Sequence, residues 1–204
     1  MLRRILKTAL ITALSVIGVF VIGAFSIFTF APKFSASVCH DLGMRKLASS
    51  CLVRVYKNTG ELDDLIEVID SSVYAEKKET IVEYGKLLFK TYNGSAQFKS
   101  FCEKEDVGYQ GEGYKTYDYY ANTVFMALYE TGDKQGAAEF AIAYMGSSYT
   151  EKCVLKMAVK ISNPEVDKAF GDLLITAYKS NTNISKSLYA TFENEMKAYK
   201  VYEF

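Results

Sequence analysis

An uncharged run from Thr8 to Phe30 constrains this chain more than any other feature. It is 23 residues long, with Arg3, Arg4 and Lys7 before it and Lys33 after it. At a rise of about 1.5 Å per residue, a helix of that length covers about 34 Å, enough to cross a hydrocarbon core about 30 Å thick. A spanning helix satisfies its own backbone hydrogen bonds, which a bilayer core demands. Leu10, Ile11, Leu14, Val16, Ile17, Val19, Ile22, Phe25 and Phe28 give apolar surface all round it, and the few hydroxyls, such as Thr12 and Ser26, can bond back to the helix. The sequence therefore predicts an uncleaved transmembrane anchor over residues 1–33, single-pass and of the signal-anchor type. The cations concentrate on its N-terminal side, which puts the N-terminus in the cytoplasm and residues 34–204 on the extracytoplasmic side. A cleaved signal peptide, with Ala36 and its neighbouring serines as the cleavage site, is the competing reading, but the run exceeds the usual apolar region of about 7–15 residues. Leu2 and the C-terminal Val-Tyr-Glu-Phe exclude myristoylation and prenylation signals.

Charge divides the chain. The whole is neutral, with 24 cations and 24 acids, but Arg3, Arg4, Lys7 and Lys33 fall in a stretch with no acid. Residues 34–204 thus hold 20 cations against 24 acids, a net charge of −4. A mildly acidic domain lacks the basic stripe that phosphates require, so nucleic acid is not an expected partner.

After a linker over residues 34–42, apolar residues recur at helical rather than alternating spacing through a domain over 43–204. Met44, Leu47, Cys51, Leu52 and Val55 predict a first buried stripe, and Leu62, Leu65, Ile66 and Ile69 a second. Further stripes are Ile81, Tyr84, Leu87, Leu88 and Tyr92; Phe98, Phe101 and Cys102; Tyr117, Tyr120, Ala121, Val124, Phe125 and Leu128; Ala137, Phe140, Ala141 and Tyr144; Cys153, Val154, Met157 and Ile161; Val166, Phe170, Leu173, Leu174 and Ala177; and Leu188, Tyr189, Phe192 and Met196. Gly60, Gly94 and Gly132 stop helices. Thr150 is a candidate N-cap, and Asn163 with Pro164 reads as N-cap and first helical residue. Residues 105–113 form a glycine-rich connection. The expected fold class is all-α: an N-terminal transmembrane helix, then antiparallel helical hairpins.

The turn glycines lie 34 and 38 residues apart, close to the period of stacked-hairpin arrays. Leu52, Tyr56, Gly60, Leu65 and Ile69, and the stretch from Leu128 to Ala138 around Gly132, resemble the tetratricopeptide-repeat pattern over these two short windows. The resemblance implies a stacked α-solenoid. An irregular helical bundle is the alternative.

The residues offer little for catalysis. His40 is the only histidine, so no Ser-His-Asp triad can form within the domain. It adjoins Cys39, and sequence neighbours do not converge as a nucleophile–base pair needs. No C-x-x-C motif or EF-hand spacing supplies a metal site. Asp63, Glu67 and Asp70 share one helix face, which reads as solvated. Gly108 to Gly113 lacks the Lys-Ser/Thr of a phosphate loop. The expectation is a non-enzyme with no cofactor and no metal. Cys39, Cys51, Cys102 and Cys153 are even in number, and a Cys39–Cys51 disulfide would pin the linker to the first helix. Asn93-Gly94-Ser95 and Asn183-Ile184-Ser185 are glycosylation sequons.

Sixteen tyrosines and no tryptophan remain to be explained. Tyr109, Tyr114, Tyr117, Tyr119 and Tyr120 crowd into twelve residues. Tyr117 and Tyr120 fit an inner face, leaving Tyr109, Tyr114 and Tyr119 as candidate partner-binding residues, since tyrosine gives contact area at low entropic cost. Aromatics filling the seams between hairpins is the competing account. The sequence points to a membrane-anchored extracytoplasmic scaffold for a protein or peptide partner, or else to an accessory subunit held in a membrane complex by its transmembrane helix.

Overall fold

The computed structural model describes residues 12, 14–19, 22–23, 26, 28–107, 116–145, 149–182 and 186–204. Every regular element among them is helical, and no strand occurs among the described residues, so the fold is all-α. The run Thr8–Phe30 lies largely outside them. Its described members are helical, but no helix among the described residues is long and apolar enough to cross a membrane. The chain separates into two compact units, Met1–Glu76 and Lys77–Phe204.

The first unit contains α1 (Pro32–Asp41), α2 (Arg45–Thr59) and α3 (Leu62–Tyr74). The segment expected as a linker over 34–42 is thus mostly helix. Pro32 opens α1, where its missing N–H costs nothing. The residues it buries are small: Ser35, Ala36 and Cys39. A seam of small residues makes a weak periodic signal but lets helix backbones approach closely, and α1 packs against α2. The buried face of α2 also differs from the expected stripe. Ala48, Ser49, Cys51 and Val55 are inside, whereas Met44 is 49% and Leu47 39% exposed. Two neighbours explain this, because α2 packs on both α1 and α3 and must offer each a narrow face. Ser49 Oγ and Ser72 Oγ meet at 2.9 Å in the α2–α3 seam, so neither hydroxyl is buried unsatisfied. Gly60 ends α2 with φ 68°, a left-handed value that lets the chain reverse into α3. Leu62, Leu65, Ile66 and Ile69 are buried as expected.

The second unit contains α4 (Lys78–Tyr92), α5 (Ala96–Val107), α6 (Tyr117–Glu130), α7 (Lys134–Ala143), α8 (Val154–Ile161), α9 (Pro164–Ser180) and α10 (Lys186–Ala198). Helix α6 packs on α4, α7 and α8; α7 on α8 and α9; α8 on α9 and α10. Gly85 sets the α4–α6 approach: a Cβ there would lie 2.2 Å from Val124 Cγ2. Asn163 Oδ1 accepts from the Glu165 N–H at 3.1 Å and Pro164 opens α9, as the sequence indicates. The N-cap of α8 is Cys153 rather than Thr150, with Sγ accepting from the Lys156 N–H at 3.4 Å. Val166, expected inside, is 65% exposed. Asp167 is the cause: its backbone is non-helical (φ −151°, ψ 82°), which resets the helical phase between Val166 and Phe170. Asp167 Oδ1 then caps the continuing helix by accepting from the Phe170 N–H at 3.0 Å.

Candidate partner-binding surface

Tyr109 and Tyr114 lie outside the described residues. Tyr119 is half-buried and sits edge-on to Tyr120, ring centroids 5.0 Å apart. Tyr120 is fully buried, and half-buried Tyr117 turns inward too, its hydroxyl donating to the Tyr144 carbonyl at 3.2 Å. The Phe89 ring lies 5.4 Å from that of Tyr117, 5.0 Å from Phe140 and 6.0 Å from Phe98, each close to perpendicular. Edge-to-face packing of this kind adds about 0.5–1.5 kcal/mol per pair beyond burial. Aromatics fill the seams here.

Hydroxyl partners give the tyrosines of the second unit a further role that composition alone does not reveal. Tyr129 donates to Asp167 Oδ2 at 2.7 Å, Tyr149 to Glu195 Oε2 at 2.6 Å, Tyr189 to the Ile142 carbonyl at 2.6 Å and Tyr199 to the Val159 carbonyl at 3.1 Å. Tyr178 donates to Glu193, and Tyr202 to the Ser162 carbonyl. Each joins segments distant in sequence. Tryptophan, with a donor fixed on its ring, cannot make the same end-on bond at the tip of a long side chain. Burial, then the Glu193 carboxylate, pushes the Tyr178 hydroxyl up to about 12, and burial does the same for Tyr202. Burial also raises Tyr117 and Tyr149. These hydroxyls are held neutral as donors and are unsuited to proton transfer near neutral pH.

Charged clusters of this unit are likewise closed. Asp167 Oδ2 takes Lys134 Nζ at 2.6 Å as well as Tyr129, and the ammonium holds its carboxyl below the usual range. Glu195 takes Lys156 and Tyr149. Among the described residues no group of three or more histidine, cysteine, aspartate or glutamate side chains could hold a metal.

In the first unit, Cys39 is buried and His40 80% exposed at its side chain, so these neighbours on α1 diverge. Cys39 and Cys51 are both buried thiols on packed faces of α1 and α2. Asp63 and Glu67 are exposed, whereas Asp64 is buried, accepting from the Thr59 hydroxyl at 2.6 Å and from Lys33 Nζ at 3.4 Å. That arrangement ties the start of α1 to the start of α3.

The open surface of the first unit lies at the other end of α1. Gly43, Met44, Arg45, Lys46 and Leu47 face Tyr74, Ala75 and Glu76 across an open cleft of about 500 Å³. Tyr74 is 66% exposed. Gly43 (φ 71°) and Glu76 (φ 55°) both take left-handed backbone, turning the chain away at each wall. The cleft combines an exposed aromatic, two exposed apolar side chains, two cations and one acid, Glu76. It is the surface that the apolar spacing missed, because Met44 and Leu47 were expected inside.

No protein-family model matches this chain, nor does any curated protein or solved structure.

Proposed function

We propose that this chain is a membrane-tethered, all-α scaffold that holds a protein partner, with its helical part on the extracytoplasmic side. The cation-flanked run Thr8–Phe30 carries the tether and its orientation. The packing of the second unit supports a stacked arrangement, since its helices pack on neighbours one or two along the chain, the pattern of quasi-linear helical arrays. The cleft between Met44–Leu47 and Tyr74 is the docking surface. Its occupant is a segment of the partner bearing an apolar side chain, complementary to Met44, Leu47 and Tyr74. The closed, internally paired state of the acids and tyrosines supports a binding role over catalysis.

A second reading has its own support. Leu14, Val16, Ile17, Val19 and Ile22 are each at least half exposed, so the tether presents apolar surface that another membrane helix could cover. That would make the chain an accessory subunit. Exchanging residues 1–33 for an unrelated anchor separates the two. For the scaffold, a partner crosslinked in native membranes is retained after the exchange and lost on Tyr74→Ala. Retention only with the native anchor, whatever stands at Tyr74, replaces the scaffold by the accessory subunit.

A further inference from the structure

Phe34, Val38 and Leu42 recur at every fourth residue and are 60%, 37% and 68% exposed. They make one apolar stripe along the outer side of α1, from its first turn to its C-cap; Phe30, 85% exposed, precedes the non-helical residue Ala31 (φ −131°, ψ 62°) that starts α1 afresh. On the opposite side of α1, Ser35, Ala36 and Cys39 are at most 5% exposed. The helix is therefore amphipathic the wrong way round for water, with small residues inside and large apolar ones outside.

The charges nearby are segregated. Residues 31–47 hold Lys33, Arg45 and Lys46 against the single acid Asp41, while residues 34–204 as a whole are net negative. Lys33, Arg45 and Lys46 are all exposed. An exposed apolar stripe with cations near it, following an apolar run in the sequence, has the composition of a helix that lies in the plane of a membrane interface. The cations suit anionic headgroups, which attract basic residues close to a membrane segment.

We propose that α1 lies along the bilayer surface, with Phe34, Val38 and Leu42 in the boundary between headgroups and acyl chains and Arg45 and Lys46 on anionic lipid phosphates. The inference rests on the tethered reading and adds to it a lipid-binding surface that fixes how the first unit stands on the membrane.

The absence of tryptophan makes the test direct. Full-length Phe34→Trp and Leu42→Trp each carry one tryptophan at an exposed site, which spares the fold; Glu67→Trp, exposed on α3, is the control. Each variant is reconstituted in phosphatidylcholine vesicles containing phosphatidylglycerol, with and without bromine on the acyl chains. The expected result is that Phe34→Trp and Leu42→Trp lose at least half their emission to brominated lipid, less so without phosphatidylglycerol, while Glu67→Trp is unaffected. Protein that floats with the vesicles but shows water-like, unquenched emission at both sites keeps the tether and overturns the surface contact. Blue-shifted emission that bromine does not quench places protein rather than lipid on the stripe and also overturns it. Protein that does not float overturns the tether itself, and this inference with it.

Discussion

A Cβ on Gly171 would lie 1.9 Å from the hydroxyl oxygen of Tyr202. Glycine at this point of α9 is what lets the C-terminal segment seat its tyrosine, which is 7% exposed and donates to the Ser162 carbonyl. Gly171→Ala is expected to expel the ring and cost about 1–3 kcal/mol, the range for forcing extra volume into a packed site. Thermal unfolding reads the loss, and carboxypeptidase should then trim the C-terminal residues. In Tyr202→Ala the same glycine substitution should cost little, so the two effects should not add.

Gly85 and Val124 form a second such pair, between α4 and α6. Gly85→Ala brings a methyl against both branches of Val124, with a similar expected loss of about 1–3 kcal/mol. Val124→Ala is itself destabilising through its cavity, yet it should restore part of the stability lost in Gly85→Ala. A double-mutant cycle by urea unfolding measures the coupling; strict additivity would show that the helices do not meet there.

Asp167 should make stability depend on pH in the acid range. Its carboxyl is held below the usual value, first by Lys134 and then by Tyr129 and the Phe170 N–H. A carboxyl lowered in the folded state contributes stability that is present above its unfolded pKa, about 3.9, and is lost as pH falls through the lower folded value. Asp167→Asn should flatten this acid limb while keeping an acceptor for the Phe170 N–H. Asp167→Ala should in addition lose about 1 kcal/mol of helix capping at every pH. Unfolding curves at a series of pH values below neutrality compare the three proteins.

At the alkaline end the sign is opposite. Tyr178 and Tyr202 are raised to about 12 in the folded protein, so their contribution is complete below the ordinary tyrosine pKa, about 10, and is lost as pH rises toward 12. Absorbance titration should show two classes of tyrosine, one ionising near the ordinary value and one only as the second unit opens. A single class with an ordinary pKa would show that the hydroxyl bonds are not formed.

What the sequence made legible was local. Gly60, Gly94, Gly132 and the Asn163–Pro164 pair announce helix ends because the chemistry of a cap is complete within a few residues. The apolar stripes of α3, α6 and α10 were readable wherever large side chains recur on one face. The faces of α1 and α2 were legible only in part: Cys51 and Val55 fall on the expected stripe, but Ala36, Ala48 and Ser49 are small, and apolar spacing weighs those least. Val166 was misplaced by one non-helical residue, Asp167, that leaves no apolar trace. The tyrosine bonds were illegible for another reason: the partner of Tyr189 is a carbonyl 47 residues away, at Ile142. Of the expected binding residues, only Tyr119 lies among the described residues, and the cleft at Met44 and Tyr74 emerged where burial of Met44 was expected.

The most direct test of the tether is the fate of the full-length chain, tagged at both ends, in sealed membrane vesicles. The chain is expected to stay with the membrane through an alkaline wash, and protease applied to the extracytoplasmic face should remove the C-terminal tag while the N-terminal tag survives until detergent is added. Release of the intact chain by the alkaline wash would contradict the account.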